Sequence, residues 1–289
     1  MHEPHWGLLI AIYLFCGGLS AGAMMLSTVA CLFGRAERDA AIARLGALVS
    51  PLPVIAGTAL LVVDLGRPFF FWKLFTAVAP LSPMWIGSWL LAIFSVLSLL
   101  YAYLHAPIAW QRWMPADLAG WRRRLAIAGL PLGAAVAVYT AILLGVLVAR
   151  PLWNTPLLSL LFLVSALSSA AALLVLLLPD GEHLRLARAD IALIACELVL
   201  IGALLLFGST SNASTHEAIR VLAGQGFGGL FWLGVVLAGL LVPLGVELSL
   251  VRPAFASHGL AALAAVCVLA GGFLLRYVIV YAGQQSALL

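Results

Sequence analysis

A carboxylate and a guanidinium, Asp64 and Arg67, lie three positions apart at the end of an apolar segment of this 289-residue chain. Only 9% of the residues are charged, against roughly a quarter in an average soluble protein. Ionisable groups near or inside lipid are rare and usually face a protein interior or a cavity. The pair is therefore either a helix-end ion pair, with Gly66 as cap and Pro68 as stop, or part of the wall of a polar site.

Arg276 is the second unusual charge, because apolar residues surround it on both sides. Snorkelling to the interface is one interpretation. We favour an arginine that faces the interior and pairs with Asp64 or with a ligand oxygen. Tyr139 lies at the same predicted depth. These residues together predict a polar site toward one face of the membrane.

Three ionisable residues lie toward the opposite face, namely Glu197, Glu247 and His258. They could form a proton route, since acids and histidines within membrane segments often relay protons. Helix–helix hydrogen bonds are the alternative, with interfacial placement for Glu247 and His258, and we favour that alternative for this group. The sequence leaves both interpretations open.

The elements that position these residues are membrane-spanning helices. The chain is 64% hydrophobic, with a mean hydropathy of +1.15, and about 20 apolar residues suffice to cross a bilayer as a helix. The apolar runs do not alternate as barrel strands do. We predict an all-α polytopic membrane protein, one domain over residues 1–289, with eight helices in two four-helix bundles. The spans are expected at about 8–33, 45–64, 84–104, 126–149, 156–178, 190–208, 228–250 and 259–282.

The distribution of basic residues predicts the orientation. Ten of the fifteen Lys and Arg residues follow odd-numbered spans and five lie on the other side, and basic loops stay in the cytoplasm. Both termini are then periplasmic, in a bacterial inner membrane, and Asp64, Tyr139 and Arg276 lie toward the outer face. The net charge of +4 reflects arginines facing lipid and water, so we expect no nucleic-acid surface. The first span lacks a basic leader, which argues against a cleaved signal peptide.

Redox metal sites are not expected in this protein. The four cysteines lie inside predicted spans without a C-x-x-C pair, whereas iron–sulfur clusters need clustered thiolates. The six histidines lie at termini, loops or helix ends, so no bis-histidine haem site can form in the middle of the membrane. We predict no metal, no haem and no iron–sulfur cluster.

Two local patterns carry structural predictions. Gly18 and Gly22 form a small-xxx-small pair that lets helices approach closely, and we expect packing rather than ligand binding there. Pro51 and Pro53 should kink or delay the second span. A short surface helix is expected around 216–222. The aromatic loop 66–83 could lie at the membrane interface or dock a partner.

Several motifs in order resemble the NrfD/PsrC family, the quinone-reactive membrane subunits of polysulfide-reductase-type complexes. The D-L-G-R-P and S-P-M-x-x-G-S-W elements are the more specific ones. The resemblance covers essentially the whole sequence, and its motifs are Tyr13–Gly22, Asp64–Pro68, Ser82–Trp89, Tyr139–Thr140, Pro151–Asn154 and Arg276–Tyr277.

The resemblance implies an eight-helix subunit that is active only within an oxidoreductase complex. It would bind a quinone, menaquinone or ubiquinone, near the periplasmic face. It would exchange electrons with a periplasmic, ferredoxin-like four-cluster iron–sulfur subunit, which connects to a catalytic subunit, often of the molybdopterin type. An ion- or proton-translocating subunit, or a purely structural one without a quinone site, is the alternative.

Quinone chemistry couples two electrons to two protons, and this suggests roles for the polar residues. Asp64 would exchange protons with the quinone. Arg67 or Arg276 would stabilise negative charge on its oxygens. The remaining candidates for the quinone pocket are Tyr139 as a hydrogen-bond partner, with Tyr13 and Ser88.

Overall fold

The computed structural model describes residues 6–35, 38–64, 68–76, 82–107, 117–147, 150–178, 183–250 and 257–285. Within these ranges the regular elements are helices, and eight helical stretches are long and apolar enough to cross a membrane. This confirms the prediction of an all-α protein with eight spans. Spanning segments are helical since in lipid each backbone polar group must be satisfied within its own helix. The protein is a multi-pass membrane protein.

The first span is a single helix, α1 (Leu8–Phe33), with the predicted bounds. A Cβ atom added to Gly22 would lie 2.1 Å from the Ala166 carbonyl oxygen of a neighbouring helix. Only glycine permits so close an approach, so the predicted packing role of this residue is confirmed. Gly18 also faces a neighbouring helix, at Arg276.

The second span is broken, as its prolines predict. It consists of α2 (Ala40–Val49) and α3 (Pro51–Asp64), with Ser50 between them. Proline has no N–H and cannot continue a helix interior unchanged. The Ser20 hydroxyl of α1 donates to the Ser50 carbonyl and ties the break to the first span.

Two short helical elements precede the third span, and three further spans follow it. A 3₁₀ turn (Pro68–Phe70) and α4 (Lys73–Thr76) precede α5 (Pro83–His105). The fourth, fifth and sixth spans are α6 (Leu118–Gly145), α7 (Pro156–Leu177) and α8 (His183–Thr210).

Two of these helices begin earlier than predicted. α6 begins eight residues and α8 seven residues before the expected starts. Arginine-bearing turns continue these helices, because long basic side chains reach the interface while their backbone stays helical. Asp117 caps α6 by accepting from the Gly120 amide at 2.8 Å.

The last part of the molecule has an unexpected helix type. The predicted surface helix is present as α9 (Ala213–Arg220) with a π turn (Val221–Gln225). The seventh span begins as a π-helix (Leu230–Leu241) and ends as α10 (Val242–Leu250), and α11 (His258–Gln285) is the eighth. Hydropathy carries no signal for π-helix, since it reports length and polarity only.

We call the first four spans the first helix group and the last four spans the second helix group. In the first group α1 contacts α2, α3 and α6, and α5 contacts α2, α3 and α6. In the second group α7 contacts α8 and α11, and α11 contacts the π-helical span and α10. The two groups pack closely on each other, because α1 contacts α7 and α11, and α6 also contacts α7. The description of each group as a four-helix bundle stays a prediction.

The start of α1 and the end of α11 lie at one end of the molecule, called here the outer end. Trp6 stacks on Trp153 with ring centroids 5.4 Å apart, and the Trp153 Nε1 donates to the Ile279 carbonyl at 2.9 Å. The Trp6 amide donates to Gln284 Oε1 at 3.0 Å. These contacts fix the residues that precede α1 and α7 against α11.

Candidate functional site

An apolar cavity of about 140 Å³ lies between α3, α4 and α5. A smaller cavity of about 50 Å³ continues it to α6 and ends at Tyr139. The two share Leu61 of α3, Leu74 of α4, and Ser88 and Leu91 of α5. We call this joined space the outer groove, because it lies between the last turns of α3 and the first turns of α5.

Tyr139 closes the groove with a buried ring. Its hydroxyl donates to the Pro83 carbonyl at 3.1 Å. A Cβ atom on Gly87 would lie 1.7 Å from the tyrosine oxygen, so only glycine at this position leaves room for the hydroxyl. The S-P-M-x-x-G-S-W motif and Tyr139 thus form one unit, because the hydroxyl bonds the proline carbonyl and occupies the space that the glycine leaves.

Ser88 lies beside Tyr139 on the wall of both cavities. Its Oγ donates to the Met84 carbonyl at 2.8 Å, and a hydroxyl engaged as a donor keeps lone pairs as acceptors and can rotate. The structure therefore brings together two of the predicted pocket residues, Ser88 and Tyr139.

Asp64 is the last residue of α3 and is exposed. It lies one helical turn beyond Leu61, which lines the groove. A carboxylate at this position is open to water and close in sequence to the groove wall. Arg67, its predicted partner, lies outside the described residues, so its role stays a prediction.

Tyr13 lies behind Tyr139 rather than on the groove wall. It is buried on α1 and close to Tyr139, and its ring packs on Gly57 of α3. The Tyr13 hydroxyl has no hydrogen-bond partner among the described residues. Tyr13 is not among the residues that line the outer groove, and its part in a quinone pocket stays a prediction.

Arg276 faces the interior, as expected. Of its two expected partners, Asp64 does not contact it, and a ligand oxygen stays a prediction. Its exposed fraction is 0%, and its Nη1 donates to Ser165 Oγ at 3.1 Å and to the Gly272 carbonyl at 2.7 Å. The guanidinium lies over the rings of Phe15 and Phe162, 5.6 and 5.2 Å from their centroids. Asp64 is exposed on the first helix group, whereas Arg276 is enclosed where the two groups meet.

A second set of polar side chains is buried in the second helix group. Glu197 lies beside Arg276 and Ser165, and Glu247 lies beside Asp190. His258 is exposed at the start of α11. Asp190 is not among the site residues predicted from the sequence, although a spacing of seven residues from Glu197 places both acids on one helix face.

The described residues contain no group of three or more His, Cys, Asp or Glu that could hold a metal ion. The aromatic segment before α5 is exposed, with Phe69 at 88%, and Lys73 Nζ lies 4.7 Å from the Phe70 ring centroid. Its placement at the interface or against a partner stays a prediction.

Comparison with known proteins gives a consistent set of relatives. The family model described as "Polysulphide reductase, NrfD" matches residues 2–287. A polysulfide reductase chain of Wolinella succinogenes is 34% identical over 97% of this protein and 94% of its own length. Protein NrfD of Escherichia coli is 32% identical over 97% and 95%. A selenate reductase subunit of Mesobacillus selenatarsenatis is 26% identical over 83% and 65%.

Proposed function

This chain belongs to the NrfD family, and we propose on that premise that it is the quinone-reactive membrane subunit of an oxidoreductase complex. It would exchange electrons between the membrane quinone pool and a partner subunit. Two of the relatives are named as single chains or subunits of reductases, for polysulfide in one case and selenate in the other. Those names favour a subunit that works only within its complex.

The outer groove is the observation that carries this proposal. Ligand pockets are mostly apolar, with a few placed polar groups that fix orientation. The groove has apolar walls and ends on two hydroxyls, Ser88 and Tyr139. A quinone ring has flat apolar faces and two oxygens, and in the reduced quinol both oxygens donate hydrogen bonds. The quinol therefore matches the apolar walls and the lone pairs that Tyr139 and Ser88 keep while they donate to the Pro83 and Met84 carbonyls.

A third cavity offers a place for the isoprenoid tail. It has a volume of about 360 Å³, and it shares Thr58, Val62, Phe71 and Ser95 with the groove. Its other residues include Ile55 and Ala59 of α3, which are exposed toward the lipid side. A tail lying there would run along α3 into the hydrocarbon while the ring stays at Tyr139.

When bound, the quinone supplies two-electron, two-proton redox chemistry. Tyr139 and Ser88 hold and orient its oxygens, and the apolar wall excludes water from the ring. Asp64, one turn beyond the groove, exchanges protons with outside water. Arg276 is enclosed where the two helix groups meet, behind α1. It would therefore stabilise negative charge on the quinone from a distance and would not contact the ring in the groove.

We further propose the partners that the family resemblance implies. They are a periplasmic, ferredoxin-like four-cluster iron–sulfur subunit and a catalytic subunit, possibly of the molybdopterin type, in a bacterial inner membrane. The outer groove lies at the end of the bundle that the arginine distribution predicts to be periplasmic, so electrons would have a short path to such a subunit.

The test uses the intact complex in membranes, with quinol turnover compared with turnover of a soluble electron carrier by the partner subunits. Tyr139→Phe and Ser88→Ala each remove one hydroxyl, worth about 1 kcal/mol or about fivefold in affinity. We expect the quinol KM to rise and the soluble-carrier activity to stay unchanged. Ser209→Ala is the matched control, since its exposed hydroxyl also bonds a carbonyl of its own helix. An unchanged quinol KM in the Tyr139→Phe/Ser88→Ala double variant would refute the proposal.

A further inference from the structure

Three carboxylic acids are buried in the second helix group, on helices that do not line the outer groove. Their exposed fractions are 1% for Asp190, 2% for Glu197 and 4% for Glu247. Arg276 is the base that lies beside one of them, Glu197. Ionising all three acids would leave two buried charges without a counter-ion, which is costly. The cluster must therefore hold protons.

Asp190 and Glu247 form a carboxyl pair between α8 and α10. Each lies beside the other, and Asp190 also lies beside Ser168. Two carboxyl groups that share one site do not both ionise, because like charges repel. Asp190 is seven residues from the start of α8, and Glu247 is three residues from the end of α10. The pair thus lies toward the end of the molecule opposite the outer groove, called here the inner end.

Ser168 of α7 connects this pair to Glu197. Asp190 and Glu197 lie two turns apart on α8, about 10.5 Å along its axis, and Ser168 lies beside both. A hydroxyl both donates and accepts, so it can pass a proton on. The Ser168 hydroxyl, both Asp190 oxygens and Glu197 Oε1 have no direct hydrogen-bond partner among the described residues. Buried polar atoms of this kind bind internal water.

Ser165 and Arg276 continue the row toward α1. Glu197 lies beside both, and Ser165 accepts from Arg276 Nη1 at 3.1 Å. The Arg276 Nε and Nη2 atoms have no partner among the described residues, although the residue is fully buried. A Cβ atom on Gly18 would lie 2.9 Å from Nη2, so the row ends against the helix that also carries Tyr13.

We propose that these side chains form a proton pathway between the inner end and α1. We call it the acid row, and its members are Glu247, Asp190, Ser168, Glu197, Ser165 and Arg276. It rests on the proposed function in one respect, since electron exchange with the quinone at the outer groove would drive the proton movement along it. It differs from the route expected from sequence by including Asp190 and the serines, with His258 at the exposed inner end rather than within the row.

Each step moves one proton between neighbouring oxygens, directly or through water. The receiving group releases its own proton to the next oxygen, so the charge of the acid row is the same after each passage. Arg276 keeps its charge and stabilises Glu197 while that carboxylate is ionised. No electron and no heavy atom moves along the acid row.

The first test needs no quinone activity. Infrared spectra of the intact complex at neutral pH should contain the carbonyl band of a protonated carboxylic acid that shifts on exchange into D₂O. Asp190→Asn should remove about half of that intensity or more, whereas Glu217→Gln on the exposed helix α9 should leave it unchanged. A wild-type spectrum without such a band would overturn the proposal even if quinol turnover is normal. The band would support it even if no quinol turnover is found.

The second test measures proton movement during turnover in proteoliposomes that contain the intact complex. Glu197→Gln is nearly isosteric, and we expect it to lower the proton uptake per electron about tenfold, with Glu217→Gln as the wild-type-like control. Electron transfer with the soluble carrier should stay at the wild-type rate. Wild-type proton uptake in both Glu197→Gln and Asp190→Asn, or a potential that requires sodium ions, would overturn the acid row as a proton pathway.

Discussion

Gly87→Ala tests the geometry of the outer groove with one methyl group. The added carbon would lie 1.7 Å from the Tyr139 oxygen, 1.8 Å from Cζ and 2.5 Å from Cε1. Non-bonded carbon atoms prefer about 3.5–4.0 Å, so the ring must move by roughly 1.5–2 Å. The 3.1 Å bond to the Pro83 carbonyl cannot survive such a shift.

The cost can be worked out from these contacts. The lost hydrogen bond is worth about 0.5–1.5 kcal/mol, and overpacking costs about 1–3 kcal/mol. The ring also lines the cavity of about 50 Å³, so its displacement changes the shape of that cavity. Because small misplacements of positioning groups lower rates steeply, we expect the quinol KM to rise about tenfold or more.

The assay compares quinol KM in the intact complex with binding of a fluorescent hydroxyquinoline N-oxide, a quinol analogue. Gly202→Ala is the control, because a Cβ atom there would meet nothing within 4 Å. Turnover of a soluble carrier by the partner subunits should be normal in both variants. A Gly87→Ala complex with wild-type KM and wild-type inhibitor binding would refute the position assigned to Tyr139.

Three further outcomes are expected. Asp64→Asn should abolish quinol-linked turnover in an assembled complex while soluble-carrier activity persists, and normal quinol turnover would sink its proton-exchange role. Gly22→Ala should lower the thermal midpoint in detergent, because its methyl group would lie 2.1 Å from a neighbouring backbone oxygen and overpacking costs about 1–3 kcal/mol; equal midpoints for this variant and Gly202→Ala would contradict the packing. Trp153→Phe removes the indole hydrogen bond to the Ile279 carbonyl, so melting should shift down by an amount equivalent to about 0.5–1.5 kcal/mol, and an unshifted melt would count against that bond.

The contacts between polar residues could not be predicted from the sequence. Ser88 and Tyr139 were predicted singly, yet their shared groove depends on Gly87, whose missing side chain makes room for a ring 52 positions later in the sequence. The sequence does not predict Asp190 as a buried site residue, because it is the first residue of the predicted span 190–208, and acidic residues are common at helix starts. The helix begins at His183 instead, which puts Asp190 inside the bundle.

The sequence by itself determined the eight apolar helices, the break at Pro51 and the close-packing role of Gly22. Lipid imposes these locally, since each stretch must satisfy its own backbone and hide its polar groups. Only the tertiary structure decided which polar groups meet. Arg276 lies against Ser165 and Glu197 rather than Asp64. Helix packing in lipid depends on the shape of whole helix faces, so the type of a single residue does not predict which helix packs against it.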